Sequence, residues 1–173
     1  REMIGLCDQV VCVSNFCKET LLDSIKVDKI EADKIVVIHN PLKKEFWQCT
    51  GIDKISNGKY GILFSGVFKP IDIKRLDLLL DACLNDEWLL NHTHLYIITS
   101  KIGKNYAESR LKNSLLSYEL HLPLARQELC SHYKKNHIMV VPSKKEGYGI
   151  VYAEGLACGL PIIGYYRSIQ EFS

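Results

Sequence analysis

The sequence lacks the cysteine spacings that usually hold zinc or build a disulfide framework. Seven cysteines are present, an odd number, and no two form a Cys-x-x-Cys pair. The nearest approach to a metal cluster is Cys130-x-His132 with His137, which has no second well-spaced pair. Most of the cysteines stand in apolar text, where a free thiol behaves as a small hydrophobe, so we expect reduced, structural thiols. Neither a zinc site nor a set of disulfides is predicted.

The chain also has no apolar run long enough to cross a bilayer, and no signal-peptide pattern opens it. Its net charge of +2 is too small to favour nucleic acid or an anionic membrane as a partner. With 47% hydrophobic and 24% charged residues in 173, the composition is that of an ordinary domain with a core of its own. The first residue is Arg1 rather than methionine, and we expect a piece of a longer protein.

Short apolar runs alternate with helical patterns along most of the chain. We predict strands at residues 9–13, 34–38, 60–65, 94–99, 137–141 and 161–164, and helices at residues 16–25, 74–85, 106–116, 124–135 and 150–158. This alternation is typical of an α/β domain with a mainly parallel sheet flanked by helices. The polar stretch 42–59 reads as a connection. We therefore predict an entry segment and linker at residues 1–58 and a domain at residues 59–173.

The most distinctive stretch, residues 142–164, joins a predicted strand to a predicted helix through Gly147-Tyr148-Gly149. A helix N-terminus presents free N–H groups and the positive end of its dipole, and glycine lets a ligand approach the backbone. The pattern therefore suits a phosphate group. A tight connection that needs glycine only for its backbone angles explains the same pattern and is the commoner case for this motif alone.

Charged side chains stand beside this loop and beside a second one. Glu146 precedes the glycines, and Glu154 lies in a mainly apolar stretch of the predicted helix. Carboxylates accept hydrogen bonds from sugar and ribose hydroxyls. Lys74 and Arg75 open the helix that follows Gly66, where a lysine would reach a diphosphate at the carboxyl edge of the sheet. The alternative for each of these charges is an ordinary solvated side chain.

Residues 146–161, Glu-Gly-Tyr-Gly-Ile-Val-Tyr-Ala-Glu-Gly-Leu-Ala-Cys-Gly-Leu-Pro, closely resemble the E-x7-E signature of GT-B glycosyltransferases. The group in question is the large retaining one called glycosyltransferase family 4, or group 1. The Val-Val-Pro-Ser run at 140–143 is similar to that family's strand and turn. Residues 66–82 resemble its G-R-L…K-G…L-L-x-A segment, and residues 13–15 and 36–41 resemble its entry between domains. The resemblance covers nearly the whole chain.

The resemblance implies the C-terminal half of a GT-B fold, a Rossmann-like donor-binding domain that is truncated here at its C-terminus. It implies that Glu146 holds hydroxyls of the donor sugar, that Glu154 holds the ribose, and that Lys74 meets the diphosphate. Glu146 and Lys74 would be the catalytic residues. The other donor-binding positions that it implies are Gly66, Arg75, Pro123, Leu124, Gly147, Tyr148, Gly149 and Ile150, with the base near residues 122–124. The family is metal-independent, in agreement with the absence of an Asp-x-Asp motif, so we expect no metal and no cofactor.

The function that the resemblance implies is transfer of a hexose, with retention, from a nucleoside diphosphate to a saccharide or lipid-linked acceptor. An acceptor domain outside this chain would supply the other wall of the site, so we expect no transfer by the chain alone. A cytoplasmic location, at the inner face of a membrane with peripheral association of the full-length protein, is implied as well. Nucleic acid is not an expected partner.

Two alternatives stay open at this point. Val67 stands where the family has arginine, and Arg75 stands where it has glycine. These departures favour a non-catalytic module that binds nucleotide sugars or regulates another enzyme. Within the enzymes, a glycosyltransferase that acts on a sugar phosphate is the closest rival.

Overall fold

The protein is described by a computed structural model that covers residues 4, 6–25, 32–49, 58–68, 73–164 and 167–172. Its contacts group into two units. The first unit contains Arg1–Pro41, Glu146–Ile150 and Arg167–Ser173, and the second contains Leu42–Lys145 and Val151–Tyr166. The predicted boundary at residue 58 borders on residues 50–57, which lie outside the described part of the chain, and it stays a prediction.

The first unit is built on a pair of parallel strands, β1 (Val10–Cys12) and β2 (Ile35–Val37), with helix α1 (Asn15–Ile25) following β1. The hydroxyl of Ser14 accepts a hydrogen bond from the backbone N–H of Cys17 at 3.0 Å, so Ser14 caps the helix. A 3₁₀ helix at Arg167–Phe172 also belongs to this unit. The strands and the helix confirm the sequence prediction, whereas the 3₁₀ helix was not predicted.

The second unit contains a parallel sheet of five strands in the order β5-β4-β3-β6-β7. The strands are β3 (Tyr60–Ser65), β4 (Thr93–Ile98), β5 (Ser117–His121), β6 (Ile138–Val141) and β7 (Ile162–Gly164). The helices are α2 (Lys44–Trp47), α3 (Leu76–Asn85), α4 (Glu87–His92), α5 (Lys101–Leu111), α6 (Arg126–Lys135) and α7 (Ile150–Ala157), whose first residue is assigned to the first unit. The predicted α/β class with a parallel sheet is confirmed.

Burial identifies the centre of this sheet. All residues of β4, and all of β3 after Tyr60, are buried, as expected for central strands of a parallel sheet covered on both faces. Helix α3 buries one face through residues spaced for a helix. Its buried residues are Leu76, Leu79, Leu80 and Cys83. The apolar face predicted for this helix is therefore confirmed, apart from Leu84, which is only partly buried.

One predicted helix was misplaced, and three elements of the second unit were missed: α2, α4 and β5. Helix α2 has only four residues and lies in the stretch 42–59, which was predicted to be a connection. The helix predicted at 106–116 runs instead over Lys101–Leu111, because Ser100 accepts a hydrogen bond from the N–H of Gly103 at 3.3 Å and caps its start. The residues that follow form the edge strand β5, whose partly exposed side chains gave no continuous apolar run. Helix α4 has only six residues and begins at the capping carboxylate of Asp86, too short a segment for hydrophobic periodicity to show.

Two histidines of the second unit make its stability depend on pH. Burial lowers the pKa of His94 on β4 and of His132 on α6, although Glu119 opposes the shift at both. Since the native pKa values lie below the unfolded value of about 6.5, the unfolded chain takes up protons first as the pH falls. We expect the free energy of unfolding, measured in urea, to decrease from about pH 7.5 to pH 5.

Variants separate these histidines from the other groups that titrate in this range. The double substitution His94→Asn with His132→Asn should flatten the pH dependence. Substitution of the exposed His92 by asparagine, the matched control, should leave it unchanged. An equally steep loss of stability in the double variant would contradict the assignment.

Candidate functional site

The carboxyl ends of β3 and β6 mark the point at which the strand order of the sheet reverses. From β3 the chain continues outward to β4 and β5, while β6 is followed by β7 on the other side. Ligands of open α/β sheets bind in the crevice at such a point. Gly66 directly follows β3, and its N–H donates to the carbonyl of Ile98 at 3.0 Å. The N–H of Lys144, in the loop after β6, donates to the carbonyl of Ile73 at 2.7 Å, so the two loops are joined.

Lys74 and Gly66 lie together in the loop after β3. A Cβ atom added to Gly66 would stand 3.2 Å from Cγ of Lys74, so the lysine stem runs along the glycine. A side chain at residue 66 would therefore displace the lysine by a few tenths of an ångström. The structure brings these two predicted site residues into contact.

Arg75 occupies a backbone conformation that suits glycine. Its φ of 55° and ψ of 46° are left-handed, a conformation that costs most residues about 1–2 kcal/mol. This explains why the resembling family has glycine at the position. The guanidinium Nε of Arg75 donates to the carboxylate of Asp77 at 3.0 Å and 3.2 Å. The charge that replaces the family's glycine is thus already paired with Asp77.

The two residues predicted near the base lie at the same edge of the sheet. Pro123 and Leu124 follow β5, and β5 runs parallel to β4. Pro123 is exposed and Leu124 is half-buried. Their position is beyond the outer strand, whereas the loop that carries Lys74 follows the central strand β3.

Glu154 on α7 is held by a tyrosine that the sequence analysis did not identify. The hydroxyl of Tyr133, which is fully buried on α6, donates to Oε2 of Glu154 at 3.0 Å. Burial raises the pKa of Glu154, while the Tyr133 hydrogen bond and the charge of Arg126 lower it. Burial, together with the Glu154 charge, raises the pKa of Tyr133 well above its usual value. Glu154 is therefore a partly desolvated carboxylate held in a fixed direction.

A sequence signal for this pair existed. A buried tyrosine hydroxyl usually finds a hydrogen-bond partner, and Glu154 stands in apolar helical text. In the sequence, Tyr133 stands out only as part of the helical pattern at residues 124–135. Sequence periodicity places each residue on its own helix but does not show which two helices meet.

Close packing fixes the helix that carries Glu154. The hydroxyl of Tyr152 donates to the carbonyl of Val141 at 2.8 Å, which ties α7 to the end of β6. A Cβ atom added to Gly155 would stand 3.1 Å from Cδ1 of Ile162 and 3.3 Å from Cε of Met139. Glycine at this position therefore lets α7 approach β6 and β7 closely.

The glycine loop before α7 belongs to the first unit and has its own contacts there. The carbonyl of Gly147 accepts hydrogen bonds from the hydroxyl of Ser14 at 2.6 Å and from the thiol of Cys17 at 3.1 Å. Gly149 is buried and has a φ of 78°, which requires glycine for backbone reasons. The ring of Tyr148 stacks on His39 with centroids 5.2 Å apart. Gly149 thus has a structural role that is independent of phosphate binding, whereas an added Cβ at residue 147 would make only ordinary contacts.

A polar cavity of about 530 Å³ lies in the first unit. Its lining residues are Asn15, Phe16, Glu19, His39, Arg167, Gln170 and Glu171. The carboxylate of Glu171 accepts hydrogen bonds from the N–H of Phe16 at 2.9 Å and from the Asn15 amide at 3.0 Å, and it lies 3.3 Å from Nε2 of His39. Burial would raise the pKa of Glu171, but these hydrogen bonds hold it below its usual value. Glu171, which the sequence analysis missed, joins the 3₁₀ helix to the start of α1.

The predicted site residues are divided between the two units. Gly147, Tyr148, Gly149, Ile150 and Glu146 belong to the first unit. Gly66, Lys74, Arg75, Pro123, Leu124 and Glu154 belong to the second. The donor-binding roles assigned to them stay predictions. Among the helices of the described ranges, none has the length and hydrophobicity of a membrane span.

Comparison with known proteins gives a family and a fold. The family described as glycosyl transferases group 1 matches residues 59–172. An uncharacterized glycosyltransferase of Methanocaldococcus jannaschii is 31% identical over 157 residues, which are 90% of this chain and 39% of the relative. The chain therefore spans well under half the length of this relative.

Two solved structures share the fold. A glycosyltransferase from Rickettsia africae superposes with a TM-score of 0.74 at 21% identity, over 91% of this chain and 44% of the other. The Anabaena protein HepE, in complex with UDP-glucose, superposes with a TM-score of 0.73 at 13% identity, over 96% and 47%. At these identities the likeness shows the fold alone, and that fold is the Rossmann-like half of a GT-B protein.

Proposed function

The chain belongs to the glycosyl transferases group 1 family, and from this premise we propose that it is the donor-binding part of a retaining hexosyltransferase of glycosyltransferase family 4. The donor is a nucleoside diphosphate sugar, and the acceptor is a saccharide or a lipid-linked saccharide. The second wall of the site comes from an acceptor domain outside this chain. The UDP-glucose in the HepE structure supports the class of donor.

The observation that carries the proposal is the Glu154 carboxylate, aimed by Tyr133 on the helix that follows the strand-order reversal. A partly buried carboxylate costs stability unless it has partners. Two ribose hydroxyls are suitable partners, because each donates a hydrogen bond and both lie on one side of the sugar ring. Glu154 thus binds the ribose of the nucleotide.

The charge of the diphosphate is met by the protein rather than by a metal ion. Lys74, whose stem lies against Gly66, supplies a positive charge at the carboxyl edge of the sheet. The N-terminus of α7 and the backbone N–H groups of Tyr148, Gly149 and Ile150 supply the helix dipole and hydrogen bonds. Each of these groups, considered on its own unit, is of a kind that stabilises the negative charge on a leaving diphosphate. Glu146 holds hydroxyls of the transferred sugar.

Calorimetry with UDP, GDP and ADP in the presence of a chelator tests this proposal. We expect one of the three nucleotides to bind without added metal, and Lys74→Ala to weaken that binding. Lys112→Ala, which removes a lysine beyond the end of α5, is the matched control and should bind like the unaltered chain. Absence of binding by all three nucleotides would overturn the proposal.

A second candidate is a binding module without catalytic activity. Val67 is 53% exposed where the family has arginine, and the charge of Arg75 is paired with Asp77. Such a module would bind the same nucleotide sugar but would turn nothing over. A transfer assay on the full-length protein separates the two, because catalysis in a cleft needs both walls. The chain alone should transfer nothing in either case.

The proposal extends to the setting of the full-length protein. Synthesis of a surface polysaccharide on the cytoplasmic side of a membrane, with peripheral association, supplies both the nucleotide sugar and a lipid-linked acceptor. Sedimentation of the full-length protein with anionic lipid vesicles tests the association.

A further inference from the structure

Three buried thiols from separate segments meet in the second unit. Cys49 follows α2, Cys130 lies in α6 and Cys158 directly follows α7. Their Sγ atoms all lie within 4.8 Å of one another. The three residues are 5%, 8% and 3% exposed. The three cysteines are far apart in the sequence and have no Cys-x-x-Cys spacing. Only the fold brings them together.

We propose that Cys49, Cys130 and Cys158 bind one thiophilic metal ion, such as Zn²⁺ or Cu⁺, through their three sulfur atoms. A metal–sulfur bond of about 2.3 Å in a trigonal arrangement places the sulfur atoms about 4.0 Å apart. From separations of at most 4.8 Å, each sulfur needs to move inward by about half an ångström. Rotation of the short cysteine side chains supplies such a shift without movement of the helices.

The surroundings of the thiols select a soft ion. The Cys49 thiol donates to the carbonyl of Cys130 at 3.5 Å, and the Cys130 thiol donates to the carbonyl of Glu45 at 3.6 Å. A thiol is a weak hydrogen-bond donor, so little is lost when a metal replaces these protons. Each thiol gives up its proton when it binds a metal, so the three sulfur atoms favour an ion with high affinity for sulfur.

The binding step balances without any redox partner. For a divalent ion, three neutral thiols release three protons to solvent and form one complex of three thiolates with a net charge of −1. Cations of the magnesium class, which prefer oxygen, have no carboxylate in this cluster to bind. The cluster therefore differs in its ligand atoms from a site for a magnesium ion that binds a diphosphate.

A metal at this position would link the helices that carry Tyr133 and Glu154, the residues of the proposed ribose site. The N–H of Cys158 donates to the carbonyl of Glu154 at 3.2 Å. Cys130 lies one helical turn before Tyr133 on α6. The metal therefore joins α6, the end of α7 and the segment after α2, and it stabilises the folded chain even without nucleotide.

The test is a titration of the reduced, metal-free chain with Cd²⁺, which stands in for Zn²⁺ and gives a sulfur-to-metal absorption band in the ultraviolet. We expect the band to saturate at one ion per chain, and a large excess of Zn²⁺ to displace the Cd²⁺. Loss of a side chain that only supports a metal ligand usually weakens metal binding by about 10–100-fold. Cys130→Ala and Cys158→Ala each remove a ligand, so they should weaken binding by more than this. Cys83→Ala, which removes a buried thiol of α3 outside the cluster, is the matched control.

Labelling of the unaltered chain keeps the test independent of how the variants fold. Cysteine alkylation, mapped by mass spectrometry, should slow more at residues 49, 130 and 158 than at Cys83 when Zn²⁺ is added, because the buried Cys83 gains protection only from the added stability of the fold. The proposal is overturned by unchanged labelling of the three cysteines, by the absence of a saturating band, or by equal loss of binding in the Cys83 control. None of these outcomes depends on nucleotide binding.

Discussion

Replacing Glu154 with alanine is expected to weaken nucleoside diphosphate binding by about 1–3 kcal/mol, the range for loss of a charge-assisted hydrogen bond. In calorimetry this corresponds to a dissociation constant about 5–150 times higher. The Tyr133 hydroxyl aims this carboxylate, and in the proposed site the carboxylate is the acceptor of hydrogen bonds from ribose. Glu108→Ala, on the exposed side of α5, is the control and should bind like the unaltered chain. Unchanged affinity in a folded Glu154→Ala variant would show that Glu154 is an ordinary, partly buried helix residue that does not bind the nucleotide.

Glu154 should destabilise the nucleotide-free fold, although it favours nucleotide binding. Because burial raises the pKa of Glu154 in the folded chain, its protonated form contributes stability below the unfolded pKa, and this contribution is lost as the pH rises through the folded value. The ionised carboxylate therefore destabilises the nucleotide-free fold at neutral pH. Glu154→Gln should raise the free energy of unfolding there while it weakens nucleotide binding, the usual trade-off at a functional position. Urea unfolding at neutral pH measures the first effect and calorimetry the second.

The central sheet was predictable because its strands are buried on both faces. The residues of β3 form a continuous apolar run bounded by turn residues, and the predicted bounds agree with the structure. The edge strand β5 has no such run. It pairs with one strand only, and its side chains are partly exposed. The helix before β5 was misplaced for a related reason. Its start is set by the local capping hydrogen bond of Ser100, which apolar spacing does not report.

The sequence offered candidate site residues where one short segment carries them, and their donor-binding roles stay predictions. Residues 146–161 form a contiguous motif, so both glutamates and the glycine loop could be read from the sequence. Tyr133 and the three clustered cysteines could not, because their partners lie on other elements of the sheet unit. Arg75 shows the opposite case. The motif marked it as a departure, and only its left-handed backbone explains what that departure costs.

Tyr133 gives the second large effect. Tyr133→Ala should lower the free energy of unfolding by about 3–5 kcal/mol, because it empties a fully buried site packed against Phe46. Tyr133→Phe keeps the ring and removes only the hydroxyl, so its expected cost is about 1–3 kcal/mol. Urea unfolding of the two variants measures both values. Similar losses in the two variants would mean that the hydroxyl rather than the ring carries the stability.

Nucleotide binding by Tyr133→Phe distinguishes positioning of Glu154 from a purely structural role. The hydroxyl stabilises the ionised carboxylate, so its loss should raise the pKa of Glu154 further. In the proposed site, ribose binding needs the ionised form of Glu154 as a hydrogen-bond acceptor. The affinity should therefore begin to fall at a higher pH in this variant than in the unaltered chain as the pH is lowered. Tyr118→Phe, on the edge strand β5, is the matched control and should keep the original profile. A Tyr133→Phe variant that is less stable but has an unshifted binding profile would show that Tyr133 supports the core without directing Glu154.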